Sequence, residues 1–463
     1  MINNLPKVVI DLSIAIKAAG GRAMLNGGCV RDELMGVGPK DWDVEVYGVD
    51  PEELLSIVSG FGEVNAVGEA FAVYKIGSNL DVSIPRRERK TGSGHRGFVI
   101  EGDPAMSFED ACRRRDFTVN AILKDALTGE IVDPFGGRHD IEQRILRMVS
   151  ADTFGDDSLR VLRAAQFAAR LGFDIEAKTV AVCRAIEVSD LPKERIWGEL
   201  EKLLLRAATP SIGLKWLYDL CVVEQLFPEM QALVGVPQEP EWHPEGDVDV
   251  HTLMVVDEAS KLIDELDHPR KVAVMLGALA HDFGKPSTTE FVDGRTRSRG
   301  HDEAGVEPTI SLLDRLGIFT LDGFDVREQV VQLVRYHLKP GEYYKSKSPV
   351  GDGAFRRLAR KVEADLLYRV AKADSLGRYP DGDRSKMIFG SEAQEWFIEK
   401  VKELQIEKKA PDPILMGRHL IELGLDPSPH FKLILDAIYE LQLDGQISSI
   451  VEARAAATDL IAK

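Results

Sequence analysis

Asp41 and Asp43, in the segment Asp41-Trp42-Asp43-Val44-Glu45-Val46-Tyr47, place two carboxylates one residue apart in a strictly alternating stretch. On a β-strand, side chains at i and i+2 share a face. Trp42, Val44 and Val46 are therefore expected to enter a core, with Asp41, Asp43 and Glu45 facing the other way. Carboxylates this close repel one another unless a cation stands between them. Mg²⁺ held by one or two carboxylates together with substrate phosphates meets that need; a solvated acidic strand edge is the plain alternative. Asp81, in Leu80-Asp81-Val82, can approach from a neighbouring strand. Upstream, Gly27-Gly28 follows the short apolar strand Ala23-Met24-Leu25 and precedes a helix carrying Arg31 and Asp32. There, backbone N–H groups can be brought up to a phosphate.

Three stretches, Leu25-Asn26-Gly27-Gly28, Val30-Arg31-Asp32 and Lys40-Asp41-Trp42-Asp43, resemble the head of the nucleotidyltransferase superfamily. The likeness is specifically to class II tRNA nucleotidyltransferases (CCA-adding enzymes) and their bacterial poly(A) polymerase relatives. The resemblance implies template-independent addition of C, C and A to the 3′ end of tRNA from CTP and ATP, by two-metal phosphoryl transfer. By position, Asp41 and Asp43 would bind two Mg²⁺ ions with Asp81 as a third catalytic acid, and Gly27, Gly28 and Arg31 would meet the triphosphate. The resemblance continues through Arg114-Arg115-Asp116-Phe117-Thr118-Val119-Asn120-Ala121-Ile122, Asp133-Pro134-Phe135-Gly136-Gly137 and Asp156-Asp157-Ser158-Leu159-Arg160-Val161-Leu162-Arg163. It implies that Arg115, Asp116 and Asn120 hold the nucleotide, with Asp157, Arg160 and Arg163 beside them. The alternation of Val119 and Ala121 predicts a strand.

Residues at i and i+3 are neighbours on a helix, so Asp157 and Arg160 would present a carboxylate next to a guanidinium. Cytosine and adenine each show an amino donor beside an acceptor ring nitrogen; uracil and guanine show the reverse. A carboxylate only accepts and a guanidinium only donates, so this pair suits C or A and leaves groups unpaired against U or G. Each such mismatch costs about 1–3 kcal/mol. An ordinary surface ion pair is the alternative reading. The chain departs from the family pattern at Asp156, where Glu is usual, and at Gln166, where Arg is common. Arg86–Arg96 carries five Lys/Arg and one Glu together with Gly92 and Gly94, which predicts a mobile basic loop. In the family this position matches the loop that switches the pocket from C to A.

A second constellation comprises His251, His281-Asp282, His301, His337 and Asp374. Imidazole and carboxylate together suit a borderline transition metal with open positions for water or phosphate. The pattern resembles the HD-domain metal-dependent phosphohydrolases. His251, His281, Asp282 and Asp374 would bind a divalent transition metal or Mg²⁺, and His301, His337 and Lys285 would contact phosphate or a second ion. An HD module in this family implies phosphatase and 2′,3′-cyclic phosphodiesterase activity.

The elements that position these residues change character along the chain. The first 145 residues or so read as an α/β unit with a mixed sheet, including strands at 71–76 and 80–84. From Ser158 onward 3.6-residue stripes dominate, as in Leu159, Leu162, Phe167 and Leu171. The expected fold is α+β: a small mixed-sheet nucleotidyltransferase head at 1–147, then an all-helical neck at 148–235, a body with the HD domain at 236–385, and a tail at 386–463. The tail, with Gly417-Arg418-His419-Leu420 and Gly424-Leu425-Asp426-Pro427, looks like the part of the family that grips the tRNA elbow. The 463 residues carry a net charge of −18, which excludes attraction to nucleic acid by bulk charge and demands local basic surfaces. Four cysteines without a CxxC pair suit a reducing cytoplasm. No stretch approaches the roughly 18 apolar residues of a membrane span, and the start, with Asp11 inside its apolar region, does not read as a signal peptide. The expected partners are tRNA, through its 3′ acceptor end and elbow, with CTP and ATP; neither membrane nor DNA is expected. A poly(A) polymerase, an HD hydrolase with an inert head, and a noncatalytic tRNA-binding protein are the competing readings.

Overall fold

The computed structural model describes residues 5–62, 64–66, 73–90, 98–387 and 389–461. The chain forms two compact units, Met1–Leu203 with Ile212–Leu226, and Leu204–Ser211 with Phe227–Lys463.

The first unit is built on a mixed sheet whose strands are β1 (Arg22–Asn26), β2 (Trp42–Tyr47), β3 (Val64–Ala66), β4 (Val73–Ile76), β5 (Leu80–Ser83), β8 (Leu123–Asp125) and β9 (Ile131–Val132), in the order β3-β4-β5-β2-β1-β8-β9. β2 runs antiparallel to β1 and parallel to β5, and that register sets Asp43 directly opposite Asp81. The alternation of β2 does what its sequence predicts on one face. Val44 and Val46 are fully buried against Val9, Leu12 and Ile16 of helix Lys7–Ala18 and Leu54 and Val58 of helix Pro51–Ser59, with Trp42 packed at the margin. The other face is roofed as well: Met24, Tyr47 and Leu123 share a second cluster with Met106, Cys112 and Ala121. Asp43 and Glu45 are therefore half-buried, whereas Asp41 stands exposed one residue before the strand.

Arg86–Lys90, expected as the start of a mobile loop, pairs instead as strand β6 with β7 (Phe98–Gly102) in a separate antiparallel ribbon. Residues 91–97, with Gly92 and Gly94, lie outside the described residues.

The strand expected around Val119 and Ala121 is a 3₁₀ turn, Thr118–Asn120, with both side chains fully buried. A short alternating run has the same pattern whether it is a strand or a buried turn. Gly137 packs closely on this turn: a Cβ at this position would lie 2.1 Å from the Thr118 carbonyl oxygen. The following helix can sit against the turn only because Gly137 has no side chain, and Asp133 fixes its start by accepting from the Gly137 and Arg138 N–H groups at 2.7 and 3.0 Å.

The second unit is helical. Helix His268–Ala280 is buried without interruption from Val272 to Ala280 and packs against helices Val248–Ser260, Val326–Tyr336 and Ala364–Leu376. A helix apolar all round belongs in the centre of its unit. Two antiparallel ribbons, Thr289–Val292 with Arg295–Ser298 and Thr320–Leu321 with Phe324–Asp325, interrupt this unit, and a parallel pair, Ile145–Leu146 with Asp174–Ile175, lies in the first. The region after the head is thus helical but not all-helical. At the carboxyl end, helices Gly417–Glu422, His430–Leu443 and Ile450–Ile461 enclose a small cluster of Leu415, Leu420, Ile438, Ile447, Ala453 and Ala457. Helix His430–Leu443 meets helix Asp352–Leu358 through charges: Arg357 pairs with Glu440 at 2.7 Å and Asp444 at 2.5 Å, and Arg360 with Glu440 at 3.0 Å. Among the described residues no helix is long and apolar enough to cross a membrane.

Gly137→Ala should destabilise the first unit by about 2 kcal/mol or more, because the clash is with backbone that cannot swing aside. Chemical denaturation followed by circular dichroism measures it; an unchanged midpoint would contradict this close packing.

Candidate functional site

A cavity of about 370 Å³ opens in the first unit, and its walls gather residues from six separate stretches of chain. Asn26, Asp43, Glu45, Asp81, Arg115, Asp157 and Arg160 all border it. The acids of β2 and β5 thus share one space with the Asp–Arg couple at the start of helix Leu159–Leu171. Burial pushes the Asp43 carboxyl above its ordinary range, and the facing charge of Asp81 adds to the effect; Arg115 opposes it. Asp41 does not border the cavity, although its charge also reaches Asp43. Asp81 has a cationic neighbour, Lys75 of β4, at 3.6 Å. This arrangement fits a divalent ion on chemical grounds: Asp43, its proton affinity raised by burial and by the facing Asp81, gains most from a cation placed between the two carboxylates.

Gly27, at φ +65°, turns the chain from β1 into helix Gly28–Leu34, and a Cβ there would lie 3.4 Å from Arg115 Nη1 and 3.8 Å from Asp43 Oδ2. A Cβ on Gly28 would lie 3.6 Å from Arg31 Nη2. Arg115 reaches Glu45 at 3.5 Å, and its buried Nε has no partner. Glu45 also accepts from the Tyr47 hydroxyl at 2.6 Å, so one carboxylate orients both groups.

Asp157 and Arg160 border the cavity together but do not bond to each other through their side chains. The helix begins at Leu159, one turn later than the sequence spacing implies, so Asp157 sits in the preceding turn. Its carboxylate accepts from Leu159 N–H at 3.2 Å and pairs with Arg195 at 2.9 Å. Arg160 donates to the carbonyls of Thr153 at 2.7 Å and Arg114 at 2.6 Å. Each member is therefore aimed by its own clamp, and the guanidinium keeps donors to spare.

Arg31, Asp116, Asn120 and Arg163 do not border this cavity; they form a network of their own. Arg31 donates to Asn120 at 2.7 Å, Asn120 to Asp116 at 3.0 Å, and Arg163 to Asp116 at 2.8 Å. Burial alone would raise the Asp116 pKa, but Arg163, Asn120 and the Phe117 N–H outweigh it and hold the carboxyl below its usual range. The guanidinium groups of Arg31 and Arg163 also stand 5.2 and 5.0 Å from the Phe167 ring centre.

The helical unit assembles the second constellation completely. His251, His281 and Asp374 form one trio of inward-facing ligand atoms, and Asp282, His301 and His337 form another, each within 4.8 Å. The tautomers follow from the partners. His281, His301 and His337 direct Nδ1 at the main-chain carbonyls of Ala278, Ser298 and Val334 at 2.8, 2.7 and 2.7 Å. Carbonyls only accept, so each Nδ1 carries the proton and each Nε2 keeps its lone pair. Two of those lone pairs meet where His301 Nε2 lies 3.3 Å from His337 Nε2, while His281 Nε2 lies 3.3 Å from Nε2 of His251, whose carboxylate partners Asp374 and Glu245 outweigh burial and raise its pKa. Burial beside two imidazoles pushes His337 down to about 3, so it stays neutral and ready to ligate. Asp282 links its own trio to the other, 3.4 Å from His301 and 3.2 Å from His281. Facing lone pairs and carboxylates in a buried space call for cations, and the donor set of nitrogen and oxygen suits divalent ions. Lys285 pairs with Asp282 at 2.7 Å.

Residues that the sequence reading passed over complete the surroundings. Glu245 lies 2.8 Å from His251 Nδ1 and 2.9 Å from His243 Nδ1, in a Pro/Gly-rich run where periodicity gives no signal. Arg378 pairs with Asp374 at 2.6 Å; that i,i+4 spacing was legible. Arg195, which holds Asp157, carries no motif of its own, whereas Glu45, which holds Arg115, lies in the alternating acidic segment.

The chain matches the Poly A polymerase head domain over residues 23–147, the probable RNA and SrmB-binding site of polymerase A over 172–233, and the HD domain over 248–379. It is 37% identical over 382 residues to the multifunctional CCA protein of Xanthomonas campestris pv. campestris (strain B100), covering 79% of this chain and 89% of that one. The chain belongs to the multifunctional CCA protein family. A second member, from Actinobacillus pleuropneumoniae serotype 5b (strain L20), is 35% identical over 404 residues, covering 83% of this chain and 94% of its own length. Membership makes the first unit that of a nucleotidyltransferase and the second that of an HD domain. The fold agrees with solved CCA-adding enzymes: that of Bacillus stearothermophilus in complex with CTP (TM-score 0.66, 20% identity, 98% of both chains) and that of Thermotoga maritima complexed with tRNA (TM-score 0.55, 19% identity, 99% and 97%).

Two measurements test this geometry. Replacing a partner that orients a metal-binding histidine costs about 10- to 100-fold in metal affinity. Glu245→Gln should therefore weaken Ni²⁺ binding to the chelator-stripped chain by that factor in calorimetry; an unchanged affinity would reduce Glu245 to a packing role. Asp116 is held below its ordinary pKa, so its ionised form stabilises the fold above the unfolded carboxyl pKa, and this is lost as pH falls through the folded value. The stability advantage of the native chain over Asp116→Asn should accordingly shrink between about pH 5 and pH 3.

Proposed function

We propose that the first unit adds C, C and A to the 3′ end of tRNA, using CTP and ATP without a template. The observation that carries this reading is the single cavity bordered both by Asp43 and Asp81 and by Asp157 and Arg160. Chemistry and base choice then share one space. The 3′-hydroxyl attacks the α-phosphorus of the incoming nucleotide, forming the new O–P bond as the bond to pyrophosphate breaks. Two Mg²⁺ ions held by Asp41 and Asp43 would supply Lewis-acid activation and charge compensation when bound. Asp81 takes the hydroxyl proton, and Arg115, aimed by Glu45 and with an unpaired buried Nε, holds triphosphate oxygens. Gly27 leaves room for that approach. Asp157 accepts from the amino group of C or A, and Arg160 donates to the adjacent ring nitrogen. The network of Arg31, Asp116, Asn120 and Arg163 stiffens the wall from which Arg115 projects.

In this reading the segments are 1–147 for transfer, 148–235 for base selection, 236–385 for the HD module and 386–463 for the tRNA elbow. The HD module is a metal-dependent phosphatase and 2′,3′-cyclic phosphodiesterase, with divalent ions at His251, His281, Asp282 and Asp374, and at His301 and His337. Such ions would activate a water molecule when bound, while Lys285 contributes positive charge for phosphate. Four free cysteines suit a cytoplasmic setting.

The test offers purified chain and Mg²⁺ a tRNA lacking its 3′ end, with each nucleoside triphosphate singly and then CTP with ATP. CTP alone should extend it, and CTP plus ATP should complete CCA. Asp43→Ala should lower incorporation by about a thousandfold or more. Asp157→Ala should narrow the preference for CTP over UTP by about 10- to 100-fold. Rejection of CTP would point to a poly(A) polymerase, and native-level incorporation by Asp43→Ala would overturn the reading.

A further inference from the structure

A second cavity, of about 300 Å³, lies in the helical unit. Its wall includes His301, so it opens on the edge of the histidine–aspartate cluster, and it includes Lys285, Lys345 and Arg378. One guanidinium nitrogen of Arg378 is committed to Asp374 at 2.6 Å, while its buried Nε has no hydrogen-bond partner among the described residues. Cations beside a metal-binding cluster account for a phosphate. They do not account for Trp242, which also forms the wall and is 45% exposed. Its indole makes only loose contacts: Lys345 Nζ stands 5.8 Å from the ring centre, and Phe389 lies 6.1 Å away, tilted by 31°. A cation at that distance is exchangeable for another partner of the ring face. A ligand that uses both ends of this cavity carries a phosphate at one end and a flat ring at the other.

We propose that this cavity is a nucleotide subsite in which Trp242 stacks on the base of the ribonucleotide whose 3′-phosphate or 2′,3′-cyclic phosphate faces the cluster. The proposal rests on the phosphohydrolase reading of the HD module and adds to it a residue that selects for a base. Lys285 and Arg378 hold the phosphate oxygens, and Lys345 moves from the ring towards the same charge. Stacking of this kind tolerates any base, because every base has a π-face. The subsite therefore favours nucleotides over baseless phosphate esters without choosing among A, C, G and U.

The experiment uses the full chain loaded with Ni²⁺ and compares 3′-AMP with β-glycerophosphate, which carries a phosphate but no base. Trp242→Ala should raise KM for 3′-AMP by about ten- to a hundredfold, and Trp242→Phe by no more than about threefold. The loss should be confined to the substrate with a base. An equal loss on both substrates, or no loss on 3′-AMP, would overturn the proposal. If the native chain hydrolyses neither, the phosphohydrolase reading fails separately, and calorimetric binding of 3′-AMP still decides the stacking claim. Binding that weakens in Trp242→Ala and survives in Trp242→Phe supports it; equal binding by all three chains removes it.

Discussion

Groups that repel one another are held face to face in both units, and the rest of each unit is built around that constraint. In the first, parallel pairing of β2 and β5 fixes Asp43 opposite Asp81. In the second, three main-chain carbonyls take the Nδ1 protons of His281, His301 and His337 and leave their lone pairs converging. Taking such groups out of water costs several kcal/mol per charge unless a counter-charge enters. Neither arrangement could arise from the local preference of these side chains. Each depends on apolar packing elsewhere: Val44 and Val46 under the sheet, and the fully buried run of helix His268–Ala280.

Local sequence exposed the parts of this plan that follow from a period. The alternation of β2 fixed which side chains enter the core, and the apolar run before His281 marked a central helix. The histidines and acids of the HD pattern were legible because few structural roles require so many of them. What the sequence hid were the contacts that depend on distant backbone. Val119 and Ala121 alternate like a strand, yet the segment closes as 3₁₀, with Gly137, beyond a separate turn, packed on it. Asp157 and Arg160 are spaced like a helical ion pair, yet the helix starts between them, and Arg195, Thr153 and Arg114 take their place as partners.

The same distinction separates residues that border the first cavity from those that pack beside it. Asp43, Asp81, Asp157 and Arg160 border one cavity, whereas Arg31, Asp116, Asn120 and Arg163, which belong to equally recognisable motifs, satisfy each other in a network away from it. Motif membership marks both kinds alike. Only the register of strands and the direction of guanidinium groups tells them apart. Arg195 and Glu245 are the complement: they pair with Asp157 and His251 from positions without a signature.

The join between helix His430–Leu443 and helix Asp352–Leu358 has a consequence of a different kind. It is stitched by Arg357 and Arg360 to Glu440 and Asp444, while the apolar residues of the carboxyl-terminal helices turn inward to their own small cluster. A seam of exposed ion pairs is weakened by dissolved electrolyte, whereas oily contacts are strengthened by excluded salts such as sulfate. The ionic part of this seam thus answers to ionic strength, whereas the apolar cluster of the last three helices does not depend on it.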